Sequence, residues 1–337
     1  MSINYKASLK KLISVPYQLV HEFHKFLYKK SFLKSQKLAR KSISIGNISF
    51  GGTGKTPFTM YLAEKLTERL GIKICILTRA YKSKIPKALL PLIINQSNLK
   101  DFKESVYIEG VRETDQHFIG DEATLMLKLV EKNPHIYMAI DSNRINAANK
   151  ILESLETDLF ILDDAQQHLK VSPDFKIILV NINESGFLRE FPKALETADL
   201  VIYSKVNHKW LLEEENQYKI AIMYQIKLSR ELDRNKSVTA FSGLGDNQYF
   251  FKILENTLKD LFFQRELKTI SFPDHHEYSI NEIEALIDSG ENLICTAKDL
   301  VKIPEEYRKY FIEAELSLKI INEELLLEKL DRLLQIK

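Results

Sequence analysis

Residues 42–66, SISIGNISFGGTGKTPFTMYLAEKL, constrain the fold more than any other stretch of the chain. A β-rich run over 41–48 leads into Gly51, Gly52, Thr53, Gly54, Lys55 and Thr56. A helical pattern follows at once with Phe58, Tyr61, Leu62, Leu66 and Leu70. Strand, glycine loop and helix, in that order, is the setting a phosphate loop requires. Glycines let successive backbone N–H groups turn toward phosphate oxygens, and the helix start adds its positive dipole end. Lys55 is then placed to reach the β- and γ-phosphates, and Thr56 to ligate Mg²⁺. The pattern asks for glycine where this chain has Ser49, so the first bend of the loop is expected to differ from the usual one.

A phosphate loop needs an acidic partner. In DLFILDDAQQHLK, residues 158–170, an apolar strand ends in Asp163 and Asp164. A carboxylate at such a strand end anchors Mg²⁺, directly or through water; a solvated turn is the alternative. Side chains alternate along a strand, which predicts that the two aspartates face different sides. Gln167 and His168 follow as polar groups near the nucleotide. Gly120, Asp121 and Glu122 open a helical pattern, and taken alone they read as an ordinary acidic helix start. Arg144 opens a helix after the run HIYMAI. It is a candidate phosphate contact, although a lone arginine on a helix is more often a surface residue. SFPDHHEYS sets Asp274, His275 and His276 in a Pro-containing loop, either a plain surface loop or part of a site.

Composition describes an ordinary globular chain of 337 residues, 45% hydrophobic and 28% charged. Cys75 and Cys295 each lie in a short apolar run, which reads as a buried strand. They form no metal-ligand spacing and no disulfide framework, which fits a reducing cytoplasm. The net charge of +2 hides an asymmetry: residues 1–41 carry +9, and the rest of the chain carries −7. No nucleic-acid partner is expected. In the basic arm, Leu9, Leu12, Ile13, Pro16, Val20, Phe23 and Leu27 recur at helical spacing, flanked by Lys10, Lys11, Lys25, Lys29 and Lys30. The longest uncharged run, 12–20, is far short of the roughly 20 residues that cross a bilayer. Two readings stand: a helix lying at a lipid surface, or one packed on the protein's own core. Pro16 is expected to bend or divide it.

Strands and helices alternate from residue 41 to about 230, predicting a mostly parallel sheet with both faces covered by helices. Candidate strands are SISIGN, IKICILT, IYMAID, LFILDD, KIILVN and LVIYSK, with residues 81–118 as an insertion near the site. After a strand around 219–228 and a polar linker, the pattern restarts at SVTAFSGLGD, with further strands in LKTISFP and NLICTAKD. The expected units are an amphipathic N-terminal helix over 1–40, a nucleotide-binding domain over 41–230 and a smaller α/β domain over 237–337. The loop 273–278 is expected to reach across toward the first domain.

SIGNISFGGTGKTP, GDE, the Arg144 segment, DDAQQH, FLREFP, AFSGLGDNQYF, FPDHHEY and TAKDLVK occur in this order across residues 43–302. In this set the chain resembles the tetraacyldisaccharide 4′-kinases of lipid A biosynthesis. Ser49 and the basic amphipathic N-terminus are features of that family. Two family glycines are replaced, by Ala80 and Ala165. The resemblance implies a phosphate-loop kinase that uses ATP and Mg²⁺ to phosphorylate the 4′-hydroxyl of a lipid A disaccharide 1-phosphate. The expected location is the cytoplasmic face of the inner membrane, as a peripheral protein. It further implies Asp121 as base with His275 as partner, and Glu122 and Asp163 serving Mg²⁺ beside Asp164 and Thr56. Arg144, Gln167, His168, Arg189 and Glu190 are implied as contacts to phosphates, acceptor or metal. The competing reading is a membrane-recruited nucleotide-switch ATPase. The deviant-loop ATPases that share GGTGKT carry a lysine where this chain has Phe50, which counts against them.

Overall fold

The computed structural model describes residues 5–49, 52–79, 83, 85–102, 118–182, 188–261, 266–273 and 276–334. Its side chains are described from residue 15 onward, apart from those of Asp121 and His208. The first half contributes β1 (Lys41–Asn47), β2 (Ile74–Thr78), β3 (Leu92–Ile94), β4 (Ile136–Ile140), β5 (Leu159–Leu162), β6 (Phe175–Asn181), β7 (Leu200–Ser204) and β8 (Ala221–Leu228). The second contributes β9 (Val238–Ser242), β10 (Leu267–Ser271), β11 (Asn292–Thr296) and β12 (Phe311–Ile321). All twelve join one sheet in the order β10-β9-β11-β12-β8-β7-β6-β1-β5-β2-β4-β3.

Seven neighbouring strands, from β8 to β4, are parallel, and β3 closes that edge antiparallel to β4. β10, β9, β11 and β12 form a second parallel group. β12 belongs to both. Phe311–Ala314 pair parallel with β11, and Ala314–Ile321 pair antiparallel with β8. The expected strands are all present; β3 and β12 are additions that the sequence reading did not contain.

Among the described residues there are seven longer helices: α1 (Tyr5–Lys29), α2 (Lys55–Leu70), α3 (Asp121–Lys132), α4 (Arg144–Leu152), α5 (Asn247–Asp260), α6 (Ile280–Asp288) and α7 (Glu323–Leu334). The central strands read as continuous apolar runs because both of their faces are buried. In β2, Ile74 and Ile76 enter a core shared with Leu62 and Leu66 of α2, Met126 and Val130 of α3, and Leu326 and Leu330 of α7. Cys75 and Leu77 enter the opposite core, with Ala147, Ala148 and Ile151 of α4. The final helix thus returns to the first half. Glu323 accepts from Tyr61 and pairs with Lys65 at 3.3 Å, and Asp331 pairs with Arg69 at 2.7 Å.

α1 is one continuous helix through Pro16, so the expected division does not occur. Its polar side is the docked one. Gln18 and His21 are buried, and Gln18 Nε2 donates to the Leu188 carbonyl at 2.8 Å. Val20 and Phe23 are 70% and 63% exposed, and Val15, Tyr17, Leu19 and Phe26 are exposed with them. No helix is long and apolar enough to cross a membrane among the described residues.

Candidate active site

The phosphate loop leaves the C-terminal end of β1, at the centre of the parallel strands. Ser49 bridges Leu188 in extended backbone, and Asn47 Nδ2 donates to its hydroxyl at 3.4 Å. An extended residue needs no glycine, which accounts for serine at the opening. Asn47 Nδ2 also donates to Thr53 Oγ1 at 3.0 Å, and Ser204 Oγ donates to the Thr53 carbonyl at 2.7 Å. Gly54 caps α2 with φ +82°, and a Cβ there would lie 1.6 Å from Tyr224 Oη. Both conformation and space therefore demand glycine. Gly52 has open space where a Cβ would go. Gly51 lies outside the described residues.

Lys55 and Thr56, in the first turn of α2, meet the two aspartates that follow β5. Asp163 is buried. Its Oδ1 accepts from Thr59 at 2.9 Å, and its Oδ2 lies 3.5 Å from the Thr56 hydroxyl. Burial, then the negative Glu122 and Asp164, push its pKa up to about 7. Asp164 has φ +45°, so the chain turns out of the strand between the two residues. Strand alternation therefore does not govern them, and both serve the phosphate-loop end. They divide the work: Asp163 faces hydroxyls of α2, and Asp164 gathers cations. Lys55 and Arg189 lie 3.3 Å from Asp164, and Arg79 lies 3.0 Å from it. Burial alone would raise the Asp164 pKa, but the three cations hold it well below the usual carboxylate range.

Arg144 is not a surface residue. It is 1% exposed, and its guanidinium donates to the Asp163 carbonyl and, at 3.4 Å, to that of Asp164. Burial, then Arg79, lowers its pKa to about 10, so it stays charged at neutral pH. It is a clamp under the acidic turn. Gly46 of β1 lets the next part of that turn approach: a Cβ there would fall 2.4 Å from Gln166 Cβ. Gln167 Nε2 donates to the Asn47 carbonyl at 3.1 Å and to Glu190 Oε1 at 2.8 Å, and Arg189 Nη1 donates to Gln167 Oε1 at 3.4 Å. His168 is held neutral, with burial, then Arg144, lowering its pKa to about 4.

The remaining expected residues are less gathered. Glu122, in the first turn of α3, lies 3.5 Å from Lys298. Asp121 begins α3 after Gly120 at φ +87°, and its side chain lies outside the described residues. Asp274 and His275 lie outside them too. His276 stacks on Phe272 at 4.6 Å and faces Glu282 at 3.2 Å. Among the described residues, no group of three or more His, Cys, Asp or Glu is arranged to hold a metal. Mg²⁺ does not need one, because it keeps waters and takes one or two carboxylates alongside substrate phosphates. Asp163 suits that role: it is a buried carboxylate beside a threonine hydroxyl, with like charges nearby. Asp164, committed to three cations, suits it less.

Sequence reading missed Asn47, Thr59, Arg79 and Lys298. Arg79 carried a signal, since it directly follows β2, the neighbour of the acidic strand.

A sequence profile described as tetraacyldisaccharide-1-P 4′-kinase matches residues 7–335. The tetraacyldisaccharide 4′-kinase of Aquifex aeolicus is 34% identical over 304 residues, covering 85% of this chain and 87% of its own. That of Actinobacillus pleuropneumoniae serotype 7 is 28% identical, covering 86% and 84%. A crystal structure of LpxK from Aquifex aeolicus, described as in complex with ATP, superposes with a TM-score of 0.69 at 30% identity, covering 97% of this chain and 99% of that one. The loop, the acidic turn and these similarities over nearly the whole length agree: the chain belongs to the tetraacyldisaccharide 4′-kinase family.

Proposed function

We propose that this protein transfers the γ-phosphoryl group of ATP to the 4′-hydroxyl of a tetraacyldisaccharide 1-phosphate at the inner face of a membrane. One observation carries the reading: Lys55 and Thr56, at the start of α2, meet Asp164 and Asp163, at the end of β5. Loop N–H groups and the α2 dipole suit triphosphate oxygens. When bound, Mg²⁺ neutralises charge on the phosphates; Thr56 and Asp163 are the residues suited to hold it, with Glu122 nearby. Lys55 exchanges Asp164 for phosphate oxygens, and Arg79 and Arg189 keep Asp164 neutralised meanwhile. Asp121 is assigned as the base for the sugar hydroxyl and His275 as its partner, on the family resemblance and on the place of Asp121 at the start of α3 beside Glu122. Residues 41–230 and 237–337 are taken as two units joined through β12.

The outward apolar face of α1, with lysines at its edges, supports a lipid surface as the arm's partner over the protein's own core.

The test is transfer of labelled γ-phosphate in detergent with Mg²⁺, with and without the lipid disaccharide 1-phosphate. Label in the lipid, only when that acceptor is present, is expected. Release of free phosphate without labelled lipid would favour the nucleotide switch. Asp121→Ala is expected to abolish most transfer while nucleotide still binds; wild-type turnover would remove Asp121 from the base role.

A further inference from the structure

An unbroken run of polar contacts joins the arm to the phosphate loop. Lys25 Nζ of α1 lies 2.5 Å from Glu190 Oε2. Glu190 is fully buried, and its other oxygen accepts from Gln167 at 2.8 Å. From Gln167 the run divides. One branch passes through Arg189 to Asp164 and Lys55. The other passes through the Asn47 carbonyl, and the Asn47 side chain holds Thr53 in the loop.

The strip 188–190 is also fixed on two sides. From the arm, Gln18 donates to the Leu188 carbonyl. From the loop, Ser49 bridges Leu188, and the Ile48 carbonyl accepts from the N–H groups of Arg189 at 2.7 Å and Glu190 at 3.1 Å. His21, buried on the same face of α1, has its pKa lowered, chiefly by burial. Lys25 therefore supplies the positive charge by which the arm's inner face seats on Glu190. A buried carboxylate deprived of its cation leaves its place or takes up a proton.

We propose that Lys25 is a positioning residue for phosphoryl transfer. Seating of the arm on Glu190 sets Gln167 and Arg189, and through them the attitude of the phosphate loop. The proposal rests on the kinase reading above. It differs from a role in lipid capture, because Lys25 faces Glu190 while Val15, Leu19, Val20, Phe23 and Phe26 of α1 are exposed. It acts on the rate of transfer, not on acceptor binding.

The test uses the full-length protein in mixed micelles with ATP, Mg²⁺ and tetraacyldisaccharide 1-phosphate. Binding to vesicles of phosphatidylethanolamine and phosphatidylglycerol is measured in parallel, and melting temperatures verify folding. Lys25→Ala is expected to lower kcat about tenfold or more, since small misplacements near the reacting groups are costly. Acceptor KM and vesicle binding should stay within about twofold, the pattern of a lost transition-state interaction. Lys25→Arg should keep most of the rate. Lys25→Ala/Glu190→Gln should remain as slow as Lys25→Ala, because the arm is still unseated. Unchanged kcat in Lys25→Ala overturns the proposal. So does a raised acceptor KM at unchanged kcat, which would make Lys25 a headgroup contact. Recovery in the double variant also overturns it, since neutralising a buried charge would then be the lysine's whole role. Should Lys25→Ala not fold, the arginine and double variants decide by the same criteria. A wild-type protein that labels no lipid strikes the kinase reading instead.

Discussion

The body of this protein and its arm bury opposite kinds of residue. In the body, Ile43, Leu62, Leu66 and Ile76 are shut away among strands and helices. In the arm, Gln18 and His21 are shut away, and Val20, Phe23 and Phe26 stand outside. Apolar burial in the body follows from water being its solvent. In the arm a helix is docked by polar contacts and its apolar side chains from Val15 to Phe26 stand exposed, which is the observation behind the proposed lipid surface. Helical periodicity alone could not choose between these arrangements, because it places residues on a face without saying which way the face points.

The contrast can be broken in four ways, in falling order of effect. Lys55→Ala removes the loop's cation and should cut transfer about 10²–10³-fold while vesicle binding is unchanged; a γ-phosphate transfer assay and a flotation assay read the two. Leu62→Ala, in the body, should cost about 2–5 kcal/mol in denaturant unfolding, and a loss below that range would mean the core relaxes around it. Phe23→Ser with Phe26→Ser, on the arm, should leave stability within about 0.5 kcal/mol of wild type. The same pair should weaken vesicle partition by about 2 kcal/mol or more. A large stability loss with unchanged partition would reverse the assignment of the arm's faces. Arg69→Ala, which breaks the pair with Asp331, should cost at most about 1 kcal/mol, because both partners are partly exposed.

The site was legible where chemistry and local order coincide. The glycine loop, Lys55, Thr56 and the strand-end aspartates could be placed because strand, loop and helix follow one another in the chain. Arg144 was singled out, but its burial under the acidic turn was not legible. A lone arginine at a helix start looks the same whether it meets water or two carbonyls, and here the carbonyls lie about 20 residues further on. Lys25 was hidden for a similar reason: its partner, Glu190, is 165 residues away. Asp163 and Asp164 were found, and they meet different partners, but a turn and not strand alternation sets them, because β5 ends at Leu162 and Asp164 is left-handed. β12 escaped notice because one strand does two jobs: its start pairs parallel with the preceding β11, and the rest pairs antiparallel with β8, about 90 residues earlier in the chain.

β12 also dictates when the protein can finish folding. Until residues 311–321 are available, β8 and β11 each present a bare edge, and α7 is missing from the core that it shares with β1 and α2. During synthesis residues up to 321 must leave the ribosome before the sheet can close. Folding should therefore be slow, and the growing chain holds sticky strand edges open for the duration. A cell making this protein faces its greatest aggregation hazard just before residues 311–334 emerge, and a nonsense codon near residue 310 would make that hazard permanent.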